Sequence, residues 1–315
     1  MDKQENDFAI TRDDLRGTTP EPTYGGVASF MRRKYSKDMT GVDVAVLGVP
    51  FDTATTNRPG TRFGPRAIRN ASTIMAWERP YGMPIDPFDA LAVVDAGDAM
   101  FDFGKPESVP DAIEKAAFDL ISAGPGLLSL GGDHFISYPL IKAHVKKHGG
   151  PISILHFDAH SDTWADENDR IDHGTMFWWA AKNGYVDPST SVQIGIRTTN
   201  KDTLGFTIFD ASTVHGQPLE ATVAAARAVL GDTPVYVTFD IDCLDPSYAP
   251  GTGTPVCGGL TSHQAMTILR GFAGINVIGM DVVEVAPAYD VGEITALAAS
   301  SIAMELLYLY SQRPK

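Results

Sequence analysis

The sequence predicts an α/β fold in which one mostly parallel sheet is covered by helices on both faces. Segments typical of strands and of helices alternate along most of the 315 residues, which is the element order of α/β proteins. The strand segments are continuous apolar runs, as expected where both faces of a sheet are buried. No shift in composition marks a linker. We therefore expect an N-terminal arm over residues 1–40 and a single domain over residues 41–315.

The first half of the chain supplies four predicted strands and three predicted helices. Pro65 is a normal first residue for a helix, which we expect to reach Met75. Ser108 and Asp111 predict a capping box for the second helix, and Gly124 predicts its end. The predicted strands are 43–49, 90–94, 126–130 and 152–157, and the helices end near residues 75, 122 and 147.

The second half continues the same alternation. Thr261 and Gln264 predict a capping box for a helix that reaches about Arg270. The apolar stretch Ile294–Tyr310 is shorter than the roughly 20 residues of a membrane span and contains Glu305, so it predicts a buried terminal helix. The predicted strands are 192–196, 206–209, 235–239 and 275–283, and the helices are 219–230, 261–270 and 294–309.

Composition excludes several classes of protein. The formal net charge is −14, which argues against nucleic acid as a partner and is compatible with a cationic substrate. The N-terminus lacks the apolar core of a secretory signal, and no segment predicts a membrane span. Cys243 and Cys257 do not form a CxxC pair. They could form one disulfide, but we favour reduced, buried thiols in a cytoplasmic protein.

Two polar segments leave alternatives open. The arm over residues 1–40 contains Pro20, Pro22 and a basic patch at 32–37. It is expected either to lie on the surface, to reach a neighbouring subunit, or to be disordered. The loop after the first strand carries Arg58, Arg62 and Arg66. We interpret these arginines as structural clamps, with substrate contacts as the alternative.

Acidic and histidine side chains follow four of the predicted strands. The carboxyl ends of parallel strands point the same way, and ligands bind in the crevice outside them. We therefore expect these groups to converge. They are His134 after LLSL; Asp158, His160 and Asp162 after ISILHF; Asp240 and Asp242 after VYVTF; and Glu284 after GMDVV.

Neither Asp-containing cluster would be decisive alone. Asp158, His160 and Asp162 share one side only if the strand stays extended past Phe157. The alternative is a turn in which Asp and Ser cap backbone amides. Asp240 and Asp242 alone would also fit a loop cap or a single Ca²⁺ site. Taken together with His134, the clusters predict a metal centre, because that many buried carboxylates require cations.

The ligand types predict the chemistry. Four carboxylates suit two divalent ions about 3.5–4 Å apart, which lower the pKa of a water molecule. Oxygen-rich ligands with two imidazoles favour Mn²⁺ over structural zinc, although Ni²⁺, Co²⁺ or iron would also fit. With a hydroxide, the centre sums to about −1, which favours a cationic electrophile over a phosphate ester. A guanidinium fits, since Glu284 would accept its N–H donors.

The remaining histidines are not expected to bind metal. Those on predicted helices or in loops are expected on the surface: His144, His148, His215 and His263. His156 lies within a strand, where we interpret it as a core residue or a hydrogen-bonding support for a ligand.

Five sequence blocks resemble the arginase/agmatinase (ureohydrolase) family, most closely the bacterial agmatinases. The blocks are GGDH (131–134), DAHSD (158–162), HGTMF (173–177), TFDIDCLDPSYAPGTGTP (238–255) and GMDVVEVAP (279–287). They occur in the family's order, and the resemblance covers about residues 43–310. It implies a three-layer αβα sandwich with two Mn²⁺ ions, assembled as a trimer or hexamer.

The resemblance also implies roles for single residues. One metal would be held by His134, Asp158, Asp162 and Asp240, and the other by Asp158, His160, Asp240 and Asp242, with Asp158 and Asp240 bridging. The predicted catalytic residues are His173, Glu284 and Asp162. His173 would carry a proton to the leaving amine, or alternatively form a loop hydrogen bond. Glu284 would hold the guanidinium, and Asp133 would support the site by hydrogen bonding.

The implied reaction cleaves a guanidino compound to urea and a primary amine. Agmatine is favoured because the loop 164–172 holds Asp166, Glu167, Asp169 and Asp172 against Arg170. Arg58 or Arg170 could instead bind the carboxylate of guanidinobutyrate, guanidinopropionate or arginine. Two alternatives come from other classes of protein. One is a metal-stabilised binding protein or pseudoenzyme, and the other is a two-metal deacetylase or phosphoesterase.

Overall fold

The computed structural model describes residues 7–18, 21–77, 79–165, 168 and 170–314. Its centre is a nine-stranded sheet in the order β1-β3-β2-β4-β9-β8-β5-β6-β7. The strand pairings described within it are parallel. The strands are β1 (Lys34–Tyr35), β2 (Val44–Val49), β3 (Val93–Asp98), β4 (Gly126–Gly131), β5 (Ser153–Phe157), β6 (Val192–Ile194), β7 (Thr207–Phe209), β8 (Val235–Asp240) and β9 (Val277–Val283).

Helices pack on both faces of this sheet and enclose two apolar cores. The longest described helix, α10, lies against α2 and α9 on one face, while α4 and α5 pack together on the other. The helices are α1 (Phe8–Thr11), α2 (Gly64–Ser72), α3 (Pro87–Ala90), α4 (Val109–Ser122), α5 (Ser137–His148), α6 (Met176–Lys182), α7 (Ala211–Gly216), α8 (Leu219–Leu230), α9 (Ser262–Gly271) and α10 (Ile294–Ser311).

The terminal helix α10 is a core helix, as predicted. It is long and apolar enough to cross a membrane, but 72% of it is buried inside the protein. The carboxylate of Glu305 on α10 accepts hydrogen bonds from Arg270 Nε at 2.8 and 3.0 Å. This pairing explains how an acidic side chain is accommodated in an otherwise apolar helix.

Two local predictions were wrong. Strand β3 begins at Val93, not at residue 90, because Asp86 caps the short helix α3 by accepting the Phe88 N–H at 2.9 Å. Ser108 forms no side-chain cap, because it ends a 3₁₀ turn with helical backbone angles and leads directly into α4. The capping box of Thr261 and Gln264 is confirmed.

The second half of the chain contains two short helices that the sequence did not predict, α6 and α7. Strand β6 is also shorter than expected, because Gly195 has φ +96°, which is not an extended conformation. A Cβ at this position would lie 2.6 Å from Cys243 Sγ. Only glycine tolerates both the backbone conformation and the close approach.

Part of the predicted N-terminal arm contributes to the core. Phe30 and Met31 are fully buried, and β1 pairs with β3 at the edge of the sheet. Arg33, expected on the surface, is buried with its guanidinium 4.0 Å from the Phe88 ring centroid. The division of the chain at residue 40 stays a prediction, but residues 30–35 pack as part of the domain.

A buried ion pair links α2 to the sheet and gives a stability prediction. Arg69 donates to both oxygens of Asp95, at 2.8 and 3.0 Å, and the Asp95 side chain is fully buried. Replacing Arg69 with methionine leaves that carboxylate buried without its cation, so we expect a loss of about 3–5 kcal/mol in the free energy of unfolding. Unfolding in urea measures this loss of free energy. The matched control is Lys115→Met in an ion pair whose side chains are 74% and 60% exposed, which should cost under ~1 kcal/mol. Equal losses in the two variants would contradict the prediction.

Candidate metal centre and active site

The predicted ligands meet at one edge of the sheet because their strands are neighbours. The order β4-β9-β8-β5 is contiguous, so four parallel strands that are distant in the chain end side by side. The loops after these strands carry the predicted site residues, and the crevice outside such strand ends is where α/β proteins bind ligands. The convergence expected from the sequence is therefore present.

The first ligand group surrounds the imidazole of His134. Its Nδ1 atom lies 3.0 Å from Asp158 Oδ2, 3.0 Å from Asp162 Oδ2 and 3.3 Å from Asp240 Oδ2. All four side chains are buried. Neighbouring ligand atoms around an octahedral ion with bonds of 2.0–2.1 Å lie about 3 Å apart, so this spacing suits one divalent cation.

The tautomer of His134 leaves Nδ1 available as a metal ligand. Thr238 Oγ1 donates to Asp281 Oδ1 at 2.7 Å, so it must accept the proton on His134 Nε2, 2.8 Å away. Asp281 is held in turn by Ser137 and Tyr236, which donate to its other oxygen. Nδ1 then presents a lone pair, which has no hydrogen-bond partner among the described residues and faces three carboxylate oxygens. A cation bound between Nδ1 and the three oxygens would remove the repulsion among them.

The second ligand group surrounds His160. Its Nδ1 atom lies 3.3 Å from Asp158 Oδ1 and 3.2 Å from Asp242 Oδ2. Thr254 donates to the same oxygen of Asp242 at 3.2 Å. Asp158 thus places one carboxylate oxygen in each group, as expected of a bridging ligand.

His156 supports Asp158 by a hydrogen bond. Gln193 Nε2 lies 3.0 Å from His156 Nδ1 and also donates to Ser161 O at 2.7 Å. The proton of His156 is therefore assigned to Nε2, which donates to Asp158 Oδ2 at 2.7 Å. His156 is completely buried and belongs to the site as a hydrogen-bond donor, in line with its predicted supporting position.

The pKa shifts of the clustered carboxylates also indicate that cations would stabilise this site. Burial and the nearby carboxylates of Asp242 and Asp158 raise the pKa of Asp240 well above its ordinary value. Burial and Asp158 likewise raise the pKa of Asp162 and of Asp242. Cations at the two groups would remove this repulsion, so the residues present fit a pair of divalent ions.

One geometric premise of the sequence prediction was wrong. Strand β5 ends at Phe157, and Asp162 has a left-handed backbone with φ +52°. Asp158, His160 and Asp162 therefore meet through a turn and not through an extended strand. Because of this turn, His160 faces the second group while Asp162 faces the first.

Glu284 and His173 form a buried pair beside the two groups. Glu284 Oε1 accepts the backbone N–H of His134 at 2.9 Å and lies 3.0 Å from His173 Nδ1. Its Oε2 atom is buried without a hydrogen-bond partner among the described residues. Burial alone would lower the pKa of His173, but the hydrogen bond and charge of Glu284 raise it to about 9.

The loop after β2 closes over this pair. Asp133 is buried, and its Oδ2 accepts the Ala54 N–H at 2.9 Å, so it supports the loop. Burial and Glu284 raise the pKa of Asp133 well above its ordinary value. Arg62 pairs with buried Asp52 in the same loop, as expected of a structural clamp.

The site opens into a cavity of about 340 Å³. Ligands of both groups contribute to its wall, including His160, Asp162 and Asp240. The cavity wall also includes Trp164, Arg170, Asp172 and Thr254. The predicted acidic residues Asp166, Glu167 and Asp169 lie outside the described residues.

Two predictions about single side chains were wrong. His144 was expected on the surface but is fully buried on α5, with its Nδ1 2.8 Å from Leu140 O, because this helix packs against β8 through Tyr236. Cys257 was expected to be buried but is exposed, since it lies in a loop. Cys243 is buried, and both cysteines are free thiols, as favoured.

Sequence reasoning missed the residues that hold the ligands in place: Thr56, Gln193, Thr238 and Asp281. Two of them, Thr238 and Asp281, lie inside the sequence blocks that resemble the family, but nothing in their local sequence indicates a partner. Asp281 alone offered a signal, because it is an acidic residue inside a buried apolar strand, which requires hydrogen-bond donors around it.

Fold and site together define an α/β protein with a carboxylate–imidazole centre for two cations at the carboxyl edge of a parallel sheet. Comparisons with known proteins make the class specific. A model of the arginase family matches residues 42–308. The chain belongs to the arginase family, which confirms the resemblance and the predicted fold.

Individual relatives are similar to this chain over nearly its whole length. An agmatinase from Chromobacterium violaceum is 53% identical over 304 residues, covering 96% of this chain and 94% of the relative. The crystal structure of a hypothetical agmatinase from Burkholderia thailandensis is 54% identical, with a TM-score of 0.95 and 98% coverage of both chains. A proclavaminate amidino hydrolase from Streptomyces clavuligerus is 37% identical, with a TM-score of 0.86, covering 93% of this chain and 99% of that one.

Proposed function

We propose that this protein is a ureohydrolase that converts agmatine to putrescine and urea. One observation carries the proposal: two ligand groups share Asp158, and beside them Glu284 keeps one buried oxygen, Oε2, without a described partner. A planar cation with several N–H donors satisfies that oxygen, and a guanidinium is such a group. The agmatinases that resemble this chain over most of its length support the same substrate.

The chain's own residues would bind and orient the substrate. Glu284 is held in place by the His134 N–H and by His173, so its free oxygen is directed without further rearrangement. When bound, the two cations lower the pKa of water and stabilise negative charge. His173 would hold a proton at Nδ1 close to the guanidinium, where protonation of the departing amine nitrogen is needed.

The cavity wall supports a substrate with a cationic tail. Asp172 lines the cavity, and its Oδ1 is oriented by the Gly174 N–H at 3.0 Å. Arg170 Nη2 is 3.9 Å from Asp172 Oδ2, a distance that leaves this acid only loosely paired. Arg58, which could have bound a carboxylate tail, instead places its guanidinium 5.1 Å from the Tyr289 ring centroid. Guanidinobutyrate is therefore the second candidate.

A substrate panel tests the function. We expect purified protein supplied with Mn²⁺ to release urea from agmatine. Its kcat/KM for agmatine should be at least tenfold higher than for guanidinobutyrate, guanidinopropionate or arginine. A preference for guanidinobutyrate would move the assignment to the second candidate. No urea from any compound would favour a binding protein or pseudoenzyme, and hydrolysis of acyl or phosphate esters instead would indicate a different class of hydrolase.

Three further properties belong to the proposal. Mn²⁺ is the proposed ion because oxygen ligands dominate the site, with Ni²⁺ and Co²⁺ to be compared in the same assay. A homo-oligomer, trimeric or hexameric, is supported by Phe63, Met100 and Phe103, which line one cavity while 57%, 86% and 83% exposed. A cytoplasmic location is supported by the two free thiols.

A further inference from the structure

Both ring nitrogens of His173 have partners. Nδ1 faces Glu284 Oε1 at 3.0 Å, and on the opposite side Nε2 faces two groups of Thr56. The Thr56 backbone N–H donates to Nε2 at 3.0 Å, and the Thr56 hydroxyl oxygen lies 2.8 Å from the same atom. The imidazole is only 8% exposed, so these contacts determine how it is oriented.

The contacts with Thr56 also determine where the ring carries its proton. A backbone N–H can only donate, so Nε2 must accept and is unprotonated in this arrangement. The contacts with Thr56 therefore oppose the upward shift that Glu284 causes in the pKa of the ring. The hydroxyl of Thr56 can add a second donor to the same nitrogen. The proton of the neutral ring is therefore on Nδ1, where it is donated to Glu284 beside the position proposed for the guanidinium.

Thr56 is itself held at a fixed position by its neighbours. Ala54 donates to Asp133 at 2.9 Å, and Asn57 Nδ2 donates to Gly253 O at 2.9 Å, next to Thr254 of the cavity wall. The loop is thereby tied to two separate walls, on either side of Thr56. Thr56 lines the cavity and is an exposed residue, so its replacement need not disturb the core.

We propose that Thr56 is a positioning residue that holds His173 in the Nδ1–H tautomer, with that proton directed to Glu284. The inference rests on the proposed function, because the value of this orientation is that His173 faces the departing nitrogen of a guanidino substrate. Thr56 acts through His173 and not on the substrate. Its loss should slow turnover without weakening binding.

The Thr56→Val variant removes the hydroxyl but keeps the branched shape and the backbone N–H. Losing one hydrogen bond should lower kcat about three- to tenfold, with KM for agmatine within about twofold of the wild type. A donor at Nε2 stabilises the neutral ring, so its loss should raise the pKa of His173 by about 0.5–1 unit. Thr56→Ser keeps the hydroxyl and should restore both values.

The experiment measures urea release against pH and, separately, the His173 titration by ¹⁵N-histidine NMR on protein without substrate. Thr55→Val is the matched control, because the neighbouring hydroxyl bonds to Asp52 O at 3.2 Å and not to the imidazole. Metal content is determined for every variant. The proposal predicts unchanged metal content throughout and a changed titration in Thr56→Val alone.

Three outcomes would overturn the inference: a Thr56→Val variant with wild-type kcat and titration, a Thr56→Ser variant no better than Thr56→Val, or a rise in KM at constant kcat. The last would place Thr56 in substrate binding. If wild-type protein releases no urea from agmatine, the proposed function fails. The NMR titration still reports whether Thr56 controls the state of His173.

Discussion

Replacing Asp158 with asparagine is expected to abolish metal binding at both ligand groups and to remove nearly all urea release. The reason is its shared position: Oδ2 lies 3.0 Å from His134 Nδ1, and Oδ1 lies 3.3 Å from His160 Nδ1. Even residues that only support metal ligands cost about 10–100-fold when lost. For a ligand common to two cations, we expect a loss of activity beyond ~10³-fold.

Metal content per chain, determined after dialysis with Mn²⁺, is the direct measurement for Asp158. The asparagine has nearly the volume of aspartate, so the fold should persist, and circular dichroism checks this. Asp232→Asn, at an exposed position, should retain wild-type metal content and activity. Full activity of Asp158→Asn with two ions bound would refute the bridging assignment.

The second large effect is expected for Glu284→Gln. Glu284 is fully buried with one oxygen unpartnered among the described residues, so its negative charge is available to a cationic ligand. Removing one member of a buried charge pair costs about 2–5 kcal/mol, and each 1.4 kcal/mol is tenfold. We expect kcat/KM for agmatine to fall about 10²–10³-fold, mainly through KM, while both metal groups still bind.

Glutamine is preferred to alanine at position 284 because the carboxylate also accepts the His134 N–H and faces His173. The amide oxygen can keep an acceptor there, whereas alanine would leave the His134 N–H unsatisfied. The residue also has φ +65°, so the smallest change in shape is desirable. Glu220→Gln, exposed on α8, is the control. An unchanged KM in Glu284→Gln with intact metal content would remove Glu284 from substrate recognition.

These two variants separate two functions of the same edge of the sheet. Loss of Asp158 should remove the ions and the chemistry together, while loss of the Glu284 charge should leave the ions in place. If both variants lost metal equally, Glu284 would be acting as a structural support for the His134 backbone. Metal analysis is therefore as informative as urea release in both cases.

Much of the fold was predictable because the signals are local. Continuous apolar runs identify buried strands wherever a parallel sheet is covered on both faces. The errors fell at strand ends, where the backbone leaves the extended conformation. The short helix α3, capped by Asp86, displaced the start of β3, and the positive φ of Gly195 ended β6.

By itself, the sequence determined which residues could bind metal and at which edge of the sheet they would gather. That was possible because parallel strands share one carboxyl end, so a His or Asp just past an apolar run has a known location. The order in which the strands lie side by side was not in the sequence, and it is this order that makes the loops after β4, β9, β8 and β5 neighbours.

Only the tertiary structure decided which atom of each side chain is available. The division of the Asp158 oxygens between two groups depends on a turn that ends β5 early. The tautomers of His134 and His173 depend on partners 104 and 117 residues away, Thr238 and Thr56. Hydrogen bonds act over a short range and in a definite direction, so they depend on which atoms the fold brings together. The sequence therefore identifies the site residues, but it does not show whether each presents a proton or a lone pair.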